Sequence, residues 1–217
     1  MSNEGKVFAI ESFISSAYYQ ESIRAVGYFL IKINGISYGV KEDDATALAN
    51  SYDSVIECLE TRGRHTAPAD LIKLPALELA QLVNSILYDY PENEQYSRVF
   101  GISKDDLVKL IYKNGLIWKG GLDEAFNDGS SVLQFDIDNE TVRLIGYKVT
   151  DDDDNGNGIV DISTLTDLII SSDEYYLTLK EWADGFYKEW QNSEKENYTL
   201  RTLIKVPDKW LPPGAAC

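Results

Sequence analysis

Two hydrophobic patterns take turns along this chain: short continuous apolar runs, and stretches with an apolar residue every three or four positions. The first kind predicts strands over Val7–Ile14 and Ala25–Ile33. Asn34-Gly35 then separates the second run from a third, Ile36–Val40. A type I′ turn needs positive φ at both central positions, which Asn-Gly supplies, so a β-hairpin is expected here. The second pattern follows. Asp43 and Asp44 offer an N-cap, Leu48, Tyr52, Val55, Ile56 and Leu59 recur at helical spacing, and Gly63 ends the run. Another helix opens near Pro75, with Leu79, Val83, Ile86 and Leu87 on one face, and stops at Pro91.

Ser103 and Asp106 have the spacing of a capping box, with Asp in the place usual for Glu. Leu107, Leu110 and Ile111 make the apolar face behind it, and Asn114-Gly115 is a C-cap. Gly115–Ser131 carries Trp118, Gly120, Gly121 and Gly129 and reads as a loop with one turn of helix. Val132–Ile137 and Val142–Val149 are strands joined at Asp138-Asn139. The polar run Thr150–Gly158 interrupts, and Ile159–Ile170 resumes β character. Ser171 and Glu174 form a full capping box. Behind it Tyr175, Leu179, Trp182, Phe186 and Trp190 step at helical spacing, read as a core face rather than a ligand box. A last strand is expected over Tyr198–Val206.

Hairpin-like strand neighbours with helices between and after them define an α+β fold: a mainly antiparallel sheet with several amphipathic helices packed on it. The expectation is one domain over residues 1–217, with a boundary between two lobes near 91–96 as the alternative. The start, MSNEGKVFAIES, lacks the basic-then-apolar order of a signal peptide, and no apolar run reaches the ~20 residues of a membrane helix. A cytoplasmic protein is expected.

Charge changes the picture more than composition does. The formal net charge is −16, with 36 acidic against 20 basic residues. Such a surface repels nucleic acid and membrane phosphates and attracts basic partners. Catalytic groups are scarce. The one histidine, His65, is expected in an exposed loop, RGRHTAP, and cannot build a zinc site alone. Cys58 is read as a small buried apolar side chain and Cys217 as part of a frayed tail. Neither phosphate-binding glycine motif is present, and no GxSxG elbow accompanies His65. An enzyme using His65 or an acid pair ranks last, and no cofactor is expected.

The densest charge lies at Asp151–Asp154. Asp153, Asn155, Asn157, Gly158, Val160 and Asp161 match the first nine positions of a calcium loop. The twelfth position, which needs a bidentate carboxylate, is Thr164. A hairpin tip rich in turn residues is therefore preferred, with a calcium-binding module as the alternative function. The same tip suits a basic cleft: Asp151, Asp152, Asp153, Asp154 and Asp161 are the candidate partner-binding residues.

Finally, FAIE (Phe8–Glu11), GYF…ING (Gly27–Gly35) and the leucine-bearing helix after them resemble the polymorphic-toxin immunity protein 42 family. VLQFDI, VRLIGYKV and the helix DEYYLTLKEWADGFYKEW are similar to that family's closing strand–strand–helix. The resemblance implies a cytosolic antitoxin without catalytic residues, which neutralises a cognate toxin delivered by neighbouring bacteria, as in contact-dependent growth inhibition. Three segments depart from the pattern: Gly115–Ser131, Asp151–Gly158 and the tail after Asn192.

Overall fold

The computed structural model describes residues 6–87, 103–152 and 158–197. Its described part is α+β, with the strands divided between two sheets. The first sheet is built on β1 (Phe8–Tyr18) and β2 (Ala25–Ile33), antiparallel with Phe8 opposite Ile33. The hairpin to β3 (Ile36–Tyr38) turns at Asn34 (φ 51°) and Gly35 (φ 84°), the two positive angles that a type I′ turn demands. β1 runs four residues past the expected end at Ile14, because a bulge between Ile14 and Ser16 lets SSAY continue the pairing.

The expected cap at Asp43 and Asp44 is a correction. Thr46–Ala47 (β4) pairs with β2, and α1 (Leu48–Glu60) begins only after it, with no side-chain cap. Ladder pairing at Thr46 has displaced the helix start by three residues. A short α2 (Ala69–Ile72), unforeseen, precedes α3 (Ala76–Leu87), which opens just after Pro75 as expected. Pro91, the boundary at 91–96 and the strand Tyr198–Val206 lie outside the described residues.

The caps read at Ser103, Asn114-Gly115 and Ser171 hold. Ser103 Oγ accepts the Asp106 N–H at 3.1 Å at the start of α4 (Lys104–Lys113), and Gly115 takes φ 57° just past its Asn114 cap. The stretch after it is more ordered than a loop. β5 (Ile117–Lys119) pairs with Ser131–Leu133, and Glu124–Phe126 is the one helical turn, of 3₁₀ type, capped by Asp123. β6 (Ser130–Asp136), β7 (Thr141–Asp152) and β8 (Gly158–Ser171) complete an antiparallel sheet ordered β5-β6-β7-β8. Ser171 Oγ accepts the Glu174 N–H at 3.1 Å and starts α5 (Ser172–Asn192). A two-residue β9 (Lys195–Glu196) follows, parallel to the end of β1.

β5, β6 and most of β7 are buried on both faces, whereas β8 keeps Ile159, Ile162 and Ile169 exposed. Leu133, Phe135, Ile145 and Tyr147 meet α2, α3 and α4 in a largely aliphatic core. Val132, Val142 and Leu144 on the other face join the first sheet, α1 and α5 in an aromatic core. There the stripe of α5 is core, as read from sequence: Tyr175, Leu179, Phe186 and Trp190 are buried, and Trp182 packs edge-on against Phe29 with ring centres 4.8 Å apart. Tyr38 crosses between the sheets. Its ring lies where a Cβ on Gly146 would sit, and its hydroxyl donates to Thr164 O (2.6 Å) while Thr166 Oγ1 lies at 2.8 Å. Burial pushes the Tyr38 phenol up to about 12, so it stays a neutral donor. Arg143 fixes the opposite side. Its guanidinium binds the Asp167 carboxylate in two bonds of 2.9 and 2.7 Å and donates to the carbonyls of Ile72 and Leu74 at the end of α2.

Candidate functional site

His65 is buried, 3% exposed, and this corrects its reading as an exposed loop residue. The loop after α1 is indeed irregular, but it folds inward onto the end of β6. His65 N–H donates to Asp136 Oδ2 (3.0 Å), and Asp136 N–H donates back to His65 O (2.8 Å). Cys58 is likewise 3% exposed, but it is no mere apolar filler. Its Sγ lies 3.4 Å from His65 Nε2 and 3.5 Å from Gln134 Oε1. The thiol's partner thus stood seven residues away in sequence.

The protons in this group can be assigned. His65 Nδ1 sits 2.7 Å from the Asn114 carbonyl, which only accepts, so Nδ1 carries the hydrogen. Nε2 makes the longer contacts, 3.3 Å to the Cys58 carbonyl and 3.4 Å to its Sγ, so the Nδ1 bond to Asn114 is the one that decides the tautomer. Gln134 takes the centre: Trp118 Nε1 donates to Oε1 at 2.9 Å, Tyr175 O–H donates to the same oxygen, and Nε2 donates to Gly115 O at 2.6 Å. Tyr176 O–H donates to Asp136 Oδ1 at 2.9 Å. Among the described residues no buried side-chain polar atom lacks a partner. The group comes from α1, the His65 loop, β5, β6 and α5. Gln134 and Asp136, two polar residues two apart that interrupt the apolar run begun at Val132, were the signal in the sequence.

A thiol beside an imidazole invites a nucleophilic reading, and the electrostatics oppose it. Reactive cysteines favour helix N-termini, where the dipole stabilises the thiolate. Cys58 stands in the last turn of α1, at the negative end, and burial pushes its thiol up to about 12. Burial also raises the phenols of Tyr175 and Tyr176. Burial thus keeps the thiol and the two phenols of this hub in their protonated, hydrogen-bonding forms.

The hub forms the inner wall of a cleft of about 430 Å³. α1 contributes Ser54 and Glu57, the end of α4 contributes Tyr112 and Lys113, and the stretch after it contributes Trp118 and Leu122. Asp123 clamps that stretch against the first sheet and α1. Its carboxylate accepts from Thr46 Oγ1 (2.9 Å), Ser51 Oγ (2.5 Å) and the Ala125 N–H (2.9 Å). Gly39 N–H to Ser130 Oγ (3.0 Å) and Val40 N–H to Ala125 O (2.7 Å) extend the clamp. The segment 115–131 is therefore held in place and walls the cleft.

The acidic residues lie elsewhere. Asp151 and Asp152 end β7, with Asp152 opposite Gly158 at the start of β8. Asp161 follows on the same ribbon, opposite Lys148. Asp153, Asp154, Asn155 and Asn157 lie outside the described residues. The Asp161 carboxylate accepts from Ser163 N–H (2.9 Å) and Oγ (2.7 Å), and Thr164 Oγ1 donates to the Asp161 carbonyl (2.8 Å). The ninth and twelfth positions of the calcium pattern are thus engaged in a local turn. Among the described residues no cluster of three metal-ligating side chains is present.

A cleft walled by the hub lies on one part of the molecule, and the strand pair ending in Asp151 and Asp152 on another. Comparison with known families places the chain among the immunity proteins, whose role is that of an antitoxin for a cognate toxin. The matching family is immunity protein 42, over residues 5–185, and the chain belongs to it. No curated protein and no solved structure matches the chain. No described helix is long and apolar enough to cross a membrane.

Proposed function

We propose that this immunity protein neutralises a basic nuclease toxin, a ribonuclease ahead of a deoxyribonuclease, by covering its active site or substrate groove. The observation that carries the reading is the charge: −16 in total, with Asp151 and Asp152 closing strand β7 and Asp153 and Asp154 following in sequence. A nuclease must hold phosphates and so presents a basic cleft, which carboxylates meet through charge-assisted hydrogen bonds. Long-range attraction speeds such an encounter and makes it salt-dependent. The chain acts as a binder in the cytoplasm of the protected cell, without catalysis of its own. The high thiol pKa of Cys58 supports that last point.

Co-expression with the toxin domain encoded beside this chain tests the reading. Cells survive and the two proteins co-purify if it is right; death despite expression, or failure to co-purify, ends it. Changing Asp151–Asp154 to Ser slows association at low salt by on the order of tenfold and leaves dissociation nearly unchanged. Unaltered association kinetics would remove the acidic ribbon from the interface.

A further inference from the structure

The cleft over the Cys58–His65–Gln134 hub has a charge balance opposite to that of the chain. Three of its lining residues are basic (Arg64, Lys113, Lys119) and two are acidic (Glu57, Asp123). Asp123 is buried and bound by Thr46, Ser51 and Ala125, so it offers little to a ligand. Across the rest of the described protein, basic side chains are widely taken up by carboxylates: Arg24 by Asp53, Lys41 by Glu11, Arg62 by Asp173, Lys148 by Asp128. Arg64 and Lys113 are exposed, and neither is in an ion pair among the described residues. Both line this one cleft, in a chain with a large surplus of acid to pair them.

Apolar side chains also line the cleft, two of them well exposed. Tyr112 is 43% exposed on one wall and Leu122 52% exposed on another, while Trp118 and Phe126 lie buried below them. Large apolar side chains around a rigid cavity, next to arginine, are the composition of an interface hot spot. The Asp123 clamp and the hydrogen-bonded hub preform the cavity, so little ordering remains to oppose an occupant.

We infer that this cleft is an anchor pocket for the cognate toxin, filled by a toxin loop that presents an apolar side chain with a carboxylate beside it. The inference rests on the antitoxin reading and adds the contact point, the chemistry of the anchor and its sign. The apolar side chain enters between Tyr112 and Leu122, and the carboxylate meets Arg64 and Lys113. The acidic ribbon attracts the basic body of the toxin, whereas the cleft holds one acidic point on it.

The sign makes the test decisive. The double variant Arg64→Glu/Lys113→Glu adds four negative charges' worth of change at exposed positions. If only long-range attraction to a basic toxin operates, it binds as well as wild type or more tightly. If the cleft holds a carboxylate, it binds on the order of a hundredfold more weakly, about tenfold per reversal, mainly through faster dissociation. Ser54→Trp, on the half-exposed wall of α1, fills the cavity and weakens binding similarly, while Lys188→Glu, exposed on α5, stays within about threefold of wild type. The measurement is surface-immobilised binding of the purified toxin domain encoded beside this chain, with circular dichroism to confirm each variant's fold. Wild-type binding with unchanged or tighter binding by the double variant overturns the anchor pocket and leaves the antitoxin reading standing. Weakening by the double variant but not by Ser54→Trp reduces the cleft to a rim contact and overturns the pocket. No binding by wild type overturns the antitoxin reading, and the anchor with it.

Discussion

Leu133 and Gln134 are neighbours on β6, yet they belong to interiors of different kind. Leu133 faces the aliphatic layer made with α2, α3 and α4. Gln134 faces the aromatic layer and is bonded there by Trp118, Tyr175 and Gly115. The first interior is held by burial, which is non-directional and tolerates repacking. The second is held by directional bonds among groups from five parts of the chain, so each member depends on the others. The directional interior is the one that carries the cleft. A binding pocket needs walls that keep their shape when empty, and a fully satisfied polar network supplies them.

Gln134→Leu gives the largest effect expected. The change keeps the volume nearly constant but strands the Trp118 N–H, the Tyr175 O–H and the Gly115 carbonyl, and lowers stability by about 4 kcal/mol in urea unfolding. Leu133→Ala follows at about 3 kcal/mol, the cost of an unfilled cavity. The order sharpens the comparison, and the reverse order would break it, because the hub would then be no more demanding than ordinary packing. Gly146→Ala is next, at about 2 kcal/mol, since the added methyl collides with the Tyr38 ring. Tyr38→Ala in the same chain relieves part of that loss, and a purely additive pair would show that the two sheets do not meet there.

The smallest effect is at Glu11, on the outer face of the first sheet. Hydrogen bonds from Lys32 and then Lys41 hold its carboxyl down at about 2, from an ordinary 4.5. A depressed carboxylate stabilises the fold fully above the unfolded value and loses that contribution as pH falls from 4.5 towards 2. Glu11→Gln therefore unfolds like wild type near pH 2 and is slightly weaker at neutral pH. Parallel pH–stability curves for the two proteins would show that this cluster contributes nothing.

Period and punctuation settle much of this protein from its sequence alone. They place the Asn34-Gly35 hairpin, the caps at Ser103 and Ser171, the buried stripe of α5 and the α+β class, because each depends on residues close in the chain. Local signals misplaced the start of α1, since Asp43 and Asp44 competed with a strand pairing that only β2 could provide. They also left β5 as loop, since a three-residue strand is defined by its partner β6 rather than by its own pattern. The acidic run at Asp151–Asp154 was visible at once, because charge needs no folding to be counted. The hub and the cleft were not visible. His65 looked exposed because a polar residue in an irregular segment usually is, and Cys58 looked inert because its partners included residues 76 and 117 positions away. Only the tertiary fold decided what the imidazole touches, and that Arg64 and Lys113, neither in an ion pair among the described residues, line one cavity. Hydrogen bonds and charge pairing are properties of distance in space, and sequence separation does not encode them.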